Sequence, residues 1–209
     1  MASFLVLFDV DSTLINEEAI EVLAEEAGVR AEVARITEAS MRGEVDFSES
    51  LRQRVKLLAG IPEARLDLVR RKLTLTEGAS ELVAAIHSRG GVAAAVSGGF
   101  NQLLEPIRTS LQLDYVRAND LEINLGKLTG RVIEPIVDRS AKANFLEKLR
   151  EQLGLQPQQT IAVGDGANDI EMIQTAGLGI AFCAKPALRQ HADIIIETRN
   201  LAQIIELLP

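Results

Sequence analysis

With 209 residues, 47% of them hydrophobic and 25% charged, the chain has enough apolar material for one buried core with a small inserted lobe, and it falls outside the disordered class. A net charge of −8, from 22 Lys and Arg against 30 Asp and Glu, repels nucleic acid and anionic lipid, and one Tyr, six Phe and no Trp are too few rings for a base-stacking platform. The lone Cys183 excludes an intrachain disulfide, no apolar run reaches the roughly 18 residues of a membrane span, and a cytoplasmic location is expected.

Phe4 to Phe8 is a continuous apolar run that stops at Asp9, as in a parallel strand buried on both faces. From Asn16 to Lys72 the periodicity is helical throughout: Asn16 to Ala27, Arg30 to Met41, Phe47 to Leu58 and Glu63 to Lys72, punctuated by Gly28, Gly43 and Gly60-Ile61-Pro62. A helical cap domain over 14–75 is therefore expected, inserted into a core of 1–13 and 76–209. Downstream, helical patterns at Glu77 to Arg89, Asn101 to Leu111, Ala141 to Leu153, Asn168 to Thr175 and Leu201 to Leu208 alternate with apolar runs at Val92 to Val96, Thr160 to Val163, Gly179 to Phe182 and Ile194 to Ile196. Such alternation predicts an α/β fold, a parallel sheet with helices on both faces. Leu121 to Val132 alternates around Gly126-Lys127 and predicts a β-hairpin.

In an open α/β sheet, ligands bind beyond the carboxyl ends of the strands. Those turns carry Asp9-Val10-Asp11-Ser12-Thr13, Ser97-Gly98-Gly99 and Gly164-Asp165-Gly166-Ala167-Asn168-Asp169. Four carboxylates and a hydroxyl are thus expected in one crevice. Their mutual repulsion calls for raised pKa values or a divalent cation, and an all-oxygen donor set suits Mg²⁺. His87 and His191, both near predicted helix C-termini, answer the helix dipole better than they serve a serine triad. An EF-hand is excluded because its sixth position would be Leu14, and Gly164 to Asp169 lacks the Lys of a P-loop and the third Gly of a dinucleotide fingerprint.

Two basic residues fall on apolar stripes. Lys142 extends the Leu146, Leu149, Leu153 stripe one turn toward the helix N-terminus, which makes it either a snorkelling core-margin lysine or a cation aimed at a phosphate and one carboxylate. Arg54 lies within the stripe of Phe47, Leu51, Val55 and Leu58, either as an interdomain salt bridge or as a carboxylate clamp. Glu17 and Glu18 stand at a helix start, where dipole compensation competes with a substrate contact. Met41 and Phe47 read as ordinary apolar cap residues.

In order and after strands, Asp9-Val-Asp11-Ser-Thr13, Ser97-Gly-Gly, Lys142 and Gly164-Asp-Gly-Ala-Asn-Asp169 resemble the four-part pattern of the haloacid dehalogenase superfamily. The Ser40 to Gly43 turn, Leu51 to Val55, Val96 to Phe100, Gly126 to Gly130 and Ala181 to Pro186 are similar to its phosphoserine phosphatase branch. The resemblance implies a Rossmann-like core and a Mg²⁺-dependent phosphomonoester hydrolase that completes serine synthesis. It casts Asp9 as nucleophile and Asp11 as acid and base. Asp9, the Asp11 carbonyl and Asp165 would ligate the metal, with Asp169 behind them. Ser97, Gly98, Asn168 and Lys142 would hold phosphoryl oxygens. In the cap, Glu18, with Glu17 beside it as the one-residue alternative, would take the substrate ammonium, Arg54 its carboxylate, and Met41 and Phe47 would exclude water. A separate N-terminal regulatory domain carried by some relatives is expected to be absent, and the partner is a small molecule, with the chain a monomer or homodimer. The same fold also serves phosphatases and phosphotransferases of other small phosphomonoesters, such as phosphohomoserine, and a phospho-accepting receiver domain shares the clustered aspartates and the lysine.

Overall fold

The computed structural model describes residues 2–42 and 44–209; the side chain of Met41 lies outside what is described, as does Gly43. The first strand, β1 (Leu5–Phe8), is central and parallel to both neighbours, β2 (Val92–Phe100) and β5 (Thr160–Gly164). Strands β3 (Tyr115–Asn124), β4 (Lys127–Ile133), β6 (Leu178–Phe182) and β7 (Ile194–Ile196) complete a seven-stranded sheet in the order β4-β3-β2-β1-β5-β6-β7. Among the strands of the described residues, the β3–β4 hairpin at one edge is the antiparallel pair.

Residues of β1 alternate between two cores. Phe4, Val6 and Phe8 pack into one cluster, while Leu5 and Leu7 pack into another on the opposite face of the sheet. This explains why the strand is apolar at every position, since both faces are covered. The first cluster takes helices α5 (Ala79–Ser88) and α6 (Asn101–Leu111) together with the four helices inserted between β1 and β2. The second takes α7 (Arg139–Leu153) and α8 (Ile170–Thr175). The inserted helices are α1 (Ala19–Glu26), α2 (Arg30–Met41), α3 (Phe47–Lys56) and α4 (Leu66–Lys72).

Several expectations are corrected. Helix α1 begins at Ala19 rather than Asn16, because the Asn16 N–H is tied to the Thr74 carbonyl and Asp11 Oδ1 caps the helix at the Ala19 N–H; before it, Val10 to Leu14 form an irregular turn with Ser12 in the left-handed region (φ 56°). Strand β2 does not stop at Val96 but bulges through Ser97-Gly98-Gly99 and rejoins its neighbour at Phe100. The hairpin starts six residues earlier than its alternation suggests, at Tyr115, where Asn119 and Asp120 are tolerated because side-chain amides and carbonyls satisfy them. The last segment, Leu201–Leu207, is a 3₁₀ helix, and a short helix α9 (Pro186–Arg189) follows β6.

Because β2 and β5 leave β1 on opposite sides, the chain reverses direction across the sheet there. The carboxyl ends of these three strands open one crevice. The inserted helices stand over it, and the segment after α3 is fastened to the hairpin by backbone hydrogen bonds from Gly60 to Leu128, from Leu128 to Ile61 and from Glu63 to Gly126, at 2.8–2.9 Å.

Candidate active site

A cavity of about 410 Å³ lies between the strand ends and the inserted helices. Its lining includes Asp9, Asp11, Gly98 and Asn168 from the sheet side and Glu18, Thr37, Phe47 and Arg54 from the helical side. Small-molecule sites commonly fall in this size range.

At the sheet end, Asp9 follows β1 directly, and its N–H is tied to the Val163 carbonyl at 2.8 Å. Asp9, Asp165 and Asp169 converge so closely that one carboxylate oxygen from each lies within 4.8 Å of the others. Lys142 enters between them fully buried, its Nζ 2.7 Å from Asp9 Oδ1 and 2.7 Å from Asp169 Oδ1. The lysine therefore bridges two carboxylates, one more than its helical stripe suggested. Burial works against its charge, but Asp169 and Asp9 outweigh that penalty and hold the ammonium above its ordinary range. Burial first, then the Asp169 charge, pushes the Asp9 carboxyl well above the carboxylate range, with Lys142 opposing. Asp165 is raised in the same way by burial and by Asp9.

Both oxygens of Asp169 are engaged. Its Oδ1 takes Lys142, and its Oδ2 takes the N–H groups of Asp165 and Gly166 at 3.1 and 3.0 Å. It shapes the turn after β5, and only a glycine at 164 leaves it room, since a Cβ there would lie 2.6 Å from its carboxyl carbon. Asp165 Oδ1 and Asn168 Oδ1, by contrast, are buried and have no hydrogen-bond partner among the described residues. With all three ionised, one ammonium would leave two negative charges uncompensated at this point, the repulsion that raises Asp9 and Asp165. Orphaned hard oxygen donors and a charge deficit of that size fit a divalent cation.

Asp11 stands beside this cluster. Its Oδ1 accepts the N–H of Ala19 at 2.7 Å, so it caps α1 from across the turn, and its Oδ2 accepts the Ser97 hydroxyl at 2.9 Å. Ser97 Oγ in turn accepts the Gly99 N–H at 2.7 Å.

At the helical end, the adjacent glutamates part company. Glu17 accepts the N–H and hydroxyl of Thr74, at 2.9 and 2.7 Å, and serves the junction between the lobe and the core. Glu18 faces the cavity and accepts the Ser12 hydroxyl at 2.6 Å. Burial, then the Asp11 charge, raises its carboxyl to about 7. Arg54 is 5% exposed, and among the described residues it forms no ion pair. Its guanidinium donates to Thr37 Oγ1 at 3.2 Å and to the Ser50 carbonyl at 3.3 Å, and it lies 5.8 Å from the centre of the Phe47 ring. Burial lowers its pKa. A buried, unpaired guanidinium beside a cavity is suited to a carboxylate ligand.

The site therefore brings together Asp9, Asp11, Glu18, Phe47, Arg54, Ser97, Gly98, Lys142, Asp165, Asn168 and Asp169, and leaves Glu17 outside. The position of the Met41 side chain lies outside the described residues. Sequence reasoning missed Thr37, which orients Arg54, although its place on α2 one turn after the buried Val33 was an available signal. It also missed Asn119, which no periodicity marks.

Residues 6–174 match the family model described as haloacid dehalogenase-like hydrolase. Among curated relatives, the chain is 51% identical over 204 residues to a phosphoserine phosphatase of Mycobacterium tuberculosis, covering 98% of this chain and 50% of that one. It is 48% identical over 202 residues to a phosphoserine phosphatase of Methanocaldococcus jannaschii, covering 97% and 96%. The chain thus spans half the length of the first and nearly all of the second. Among solved structures, a phospho-aspartyl intermediate analogue of phosphoserine phosphatase superposes with a TM-score of 0.97 at 46% identity, covering 100% of both chains. A substrate-bound phosphoserine phosphatase complex gives a TM-score of 0.97 at 45% identity, again covering 100% of both.

Proposed function

This chain belongs to the haloacid dehalogenase-like hydrolase family, and we propose that it hydrolyses O-phospho-L-serine to L-serine and phosphate, the last step of serine synthesis. One observation carries the reading. A single cavity has a carboxylate-rich phosphoryl end and, facing it, a buried unpaired Arg54 beside Glu18. These two charges complement the carboxylate and ammonium of an amino acid whose side chain reaches toward Asp9.

In the first half-reaction an Asp9 carboxylate oxygen attacks phosphorus, and the bond from phosphorus to the serine oxygen breaks. Asp11 donates its proton to that departing oxygen. The product is an aspartyl-phosphate on Asp9 and free L-serine. In the second, Asp11 takes a proton from water, whose oxygen attacks phosphorus. The acyl phosphate bond breaks, phosphate leaves and Asp9 is restored. Lys142 holds Asp9 in place throughout and stabilises charge on the phosphoryl oxygens, with the Ser97 hydroxyl, the Gly98 N–H and the Asn168 side chain as further donors.

Mg²⁺ is the cation we assign, held by Asp9, Asp165 and the Asp11 carbonyl, with Asp169 orienting the turn behind them. When bound, it neutralises charge on the aspartates and on the transferring phosphoryl group. Residues 14–75 act as a cap in this reading, and Phe47 keeps water from the substrate's amino-acid end. Among the described residues no helix is long and apolar enough to cross a membrane. The half-buried free thiol of Cys183 suits a reducing cytoplasm, where we place the reaction.

Phosphate release from O-phospho-L-serine, O-phospho-L-homoserine and p-nitrophenyl phosphate, with Mg²⁺ and with chelator, tests the reading. The expected order places phosphoserine first by kcat/KM, with activity abolished by chelation. Preference for phosphohomoserine would move the assignment to another small phosphomonoester, and a stable phosphoprotein without turnover would replace hydrolysis by signalling.

A further inference from the structure

We infer that Asn119 is a positioning residue for phosphoryl transfer, welding the loop that receives the phosphoryl group to the loop that delivers Lys142. The inference rests on the phosphatase reading above but concerns a residue outside the four motifs.

Its origin is a defect in the sheet. Strands β2 and β3 pair in register up to Val96 with Arg117 and again at Phe100 with Asn119. Three residues of β2, Ser97-Gly98-Gly99, therefore stand opposite the single Ala118 of β3. Such a bulge turns the loop out toward the crevice and strips its backbone groups of ladder partners. Two of these groups are repaired by side chains. The Gly99 N–H is taken by Ser97 Oγ, and the Gly98 carbonyl accepts from Asn119 Nδ2 at 2.9 Å.

The other end of the same amide reaches a different motif. Asn119 Oδ1 accepts the N–H of Val137 at 2.7 Å. Val137 precedes Asp138, whose side chain caps α7 by accepting the Ala141 N–H at 2.9 Å, and one residue later stands Lys142. One amide, 2% exposed, thus spans the two loops that place the Gly98 peptide and the lysine. Its two partners also fix its orientation, because a carbonyl must face its nitrogen and an N–H its oxygen.

Asparagine suits this task for a physical reason. It offers a donor and an acceptor on one short planar group, while an aspartate there would keep the Val137 bond and set its charge against the Gly98 carbonyl. An alanine would leave a buried carbonyl and a buried N–H unsatisfied. Neither loss touches Glu18 or Arg54, so the defect should appear at the phosphoryl end alone.

The test combines kinetics with binding of inorganic phosphate, measured by calorimetry in the presence of Mg²⁺, on the full chain and on Asn119→Ala and Asn119→Asp. Expected for both variants is a fall in kcat of about 10- to 100-fold, the scale of an ångström-sized misplacement, with weakened orthophosphate affinity. The loss should be equal for phosphoserine and p-nitrophenyl phosphate, with little change in the phosphoserine preference. A purely structural role would lower the melting temperature while folded molecules kept wild-type phosphate affinity and kcat per active site. That result, or wild-type values throughout, overturns the inference. Should Asn119→Ala fail to fold, Asn119→Ser, which retains a small donor, is read by the same two quantities. If the wild-type protein itself neither binds orthophosphate nor releases it from any monoester, the phosphatase reading fails and this inference falls with it.

Discussion

The ring of Phe47 lies against Gly98, so closely that a Cβ on that glycine would sit 2.4 Å from the ring's Cζ. A residue of the inserted helices thus rests directly on the loop proposed to hold the phosphoryl group. Gly98→Ala should leave the fold intact, because the clash is with the free end of a half-buried ring that can swing aside. It should lower kcat/KM for phosphoserine by about 10-fold or more, since the displaced ring no longer closes over the loop. Adding Phe47→Ala to Gly98→Ala should cost less than the two single changes together, which a double-mutant cycle reads directly. Additive losses would mean that the two residues act separately.

Arg54→Ala should reduce kcat/KM for phosphoserine by about 2–5 kcal/mol, the usual loss when one partner of a buried charge pair is removed, or roughly 30-fold to several thousand-fold. p-Nitrophenyl phosphate has no carboxylate for the guanidinium to hold, so its hydrolysis should lose much less. Thr37→Val should reproduce a weaker version of the same contrast, because Arg54 would keep its charge but lose its support. Equal losses on both substrates would assign Arg54 to cap structure or phosphate binding instead.

The adjacent glutamates should separate cleanly. Glu18→Gln should impair phosphoserine far more than p-nitrophenyl phosphate. Glu17→Gln should leave both reactions near wild type and cost at most about 1 kcal/mol of stability, since it disturbs only the exposed bonds to Thr74. The reverse pattern would exchange their roles.

That pair also marks how far the sequence could be read. The sheet core, the inserted helices and the aspartate turns were legible because each rests on local periodicity or on a strand ending in a carboxylate. Lys142 and Arg54 were legible as charges on apolar stripes, and their burial follows from that geometry. Choosing between Glu17 and Glu18 was not possible, because the outcome depends on Thr74, a residue 57 positions away. Asn119 was invisible for a related reason. Its importance comes from a bulge in the neighbouring strand, and neither propensity nor spacing within Tyr115–Asn124 encodes it. The early part of β3 escaped notice because its polar residues are satisfied by partners on other elements.

Mg²⁺ should raise the melting temperature of the wild-type protein, since an ion that binds only the folded state contributes about 2.7 kcal/mol at 100 times its Kd. Asp165→Asn should largely abolish this response, because a neutral amide replaces the buried carboxylate whose Oδ1 has no partner among the described residues. Ca²⁺ should also stabilise the fold yet fail to support turnover, as it accepts more oxygen ligands at longer distances and occupies Asp9 differently. Full activity after exhaustive chelation would remove the metal from the account.

Lys142→Met should abolish turnover and, without divalent ions, destabilise the protein by about 3–5 kcal/mol, because two buried carboxylates lose their shared cation. Chemical denaturation measures the loss. A stability change below about 1 kcal/mol would mean that Asp9 and Asp169 do not depend on Lys142 in the folded state.

If the phosphoryl group passes through Asp9, acid quench during phosphoserine turnover followed by peptide mass spectrometry captures it there. A phosphoryl adduct is expected on the peptide that carries Asp9 in the wild-type protein, with neither adduct nor turnover in a folded Asp9→Asn variant. An adduct on Ser97, Asp165 or Asp169, or wild-type turnover by Asp9→Asn, would contradict it.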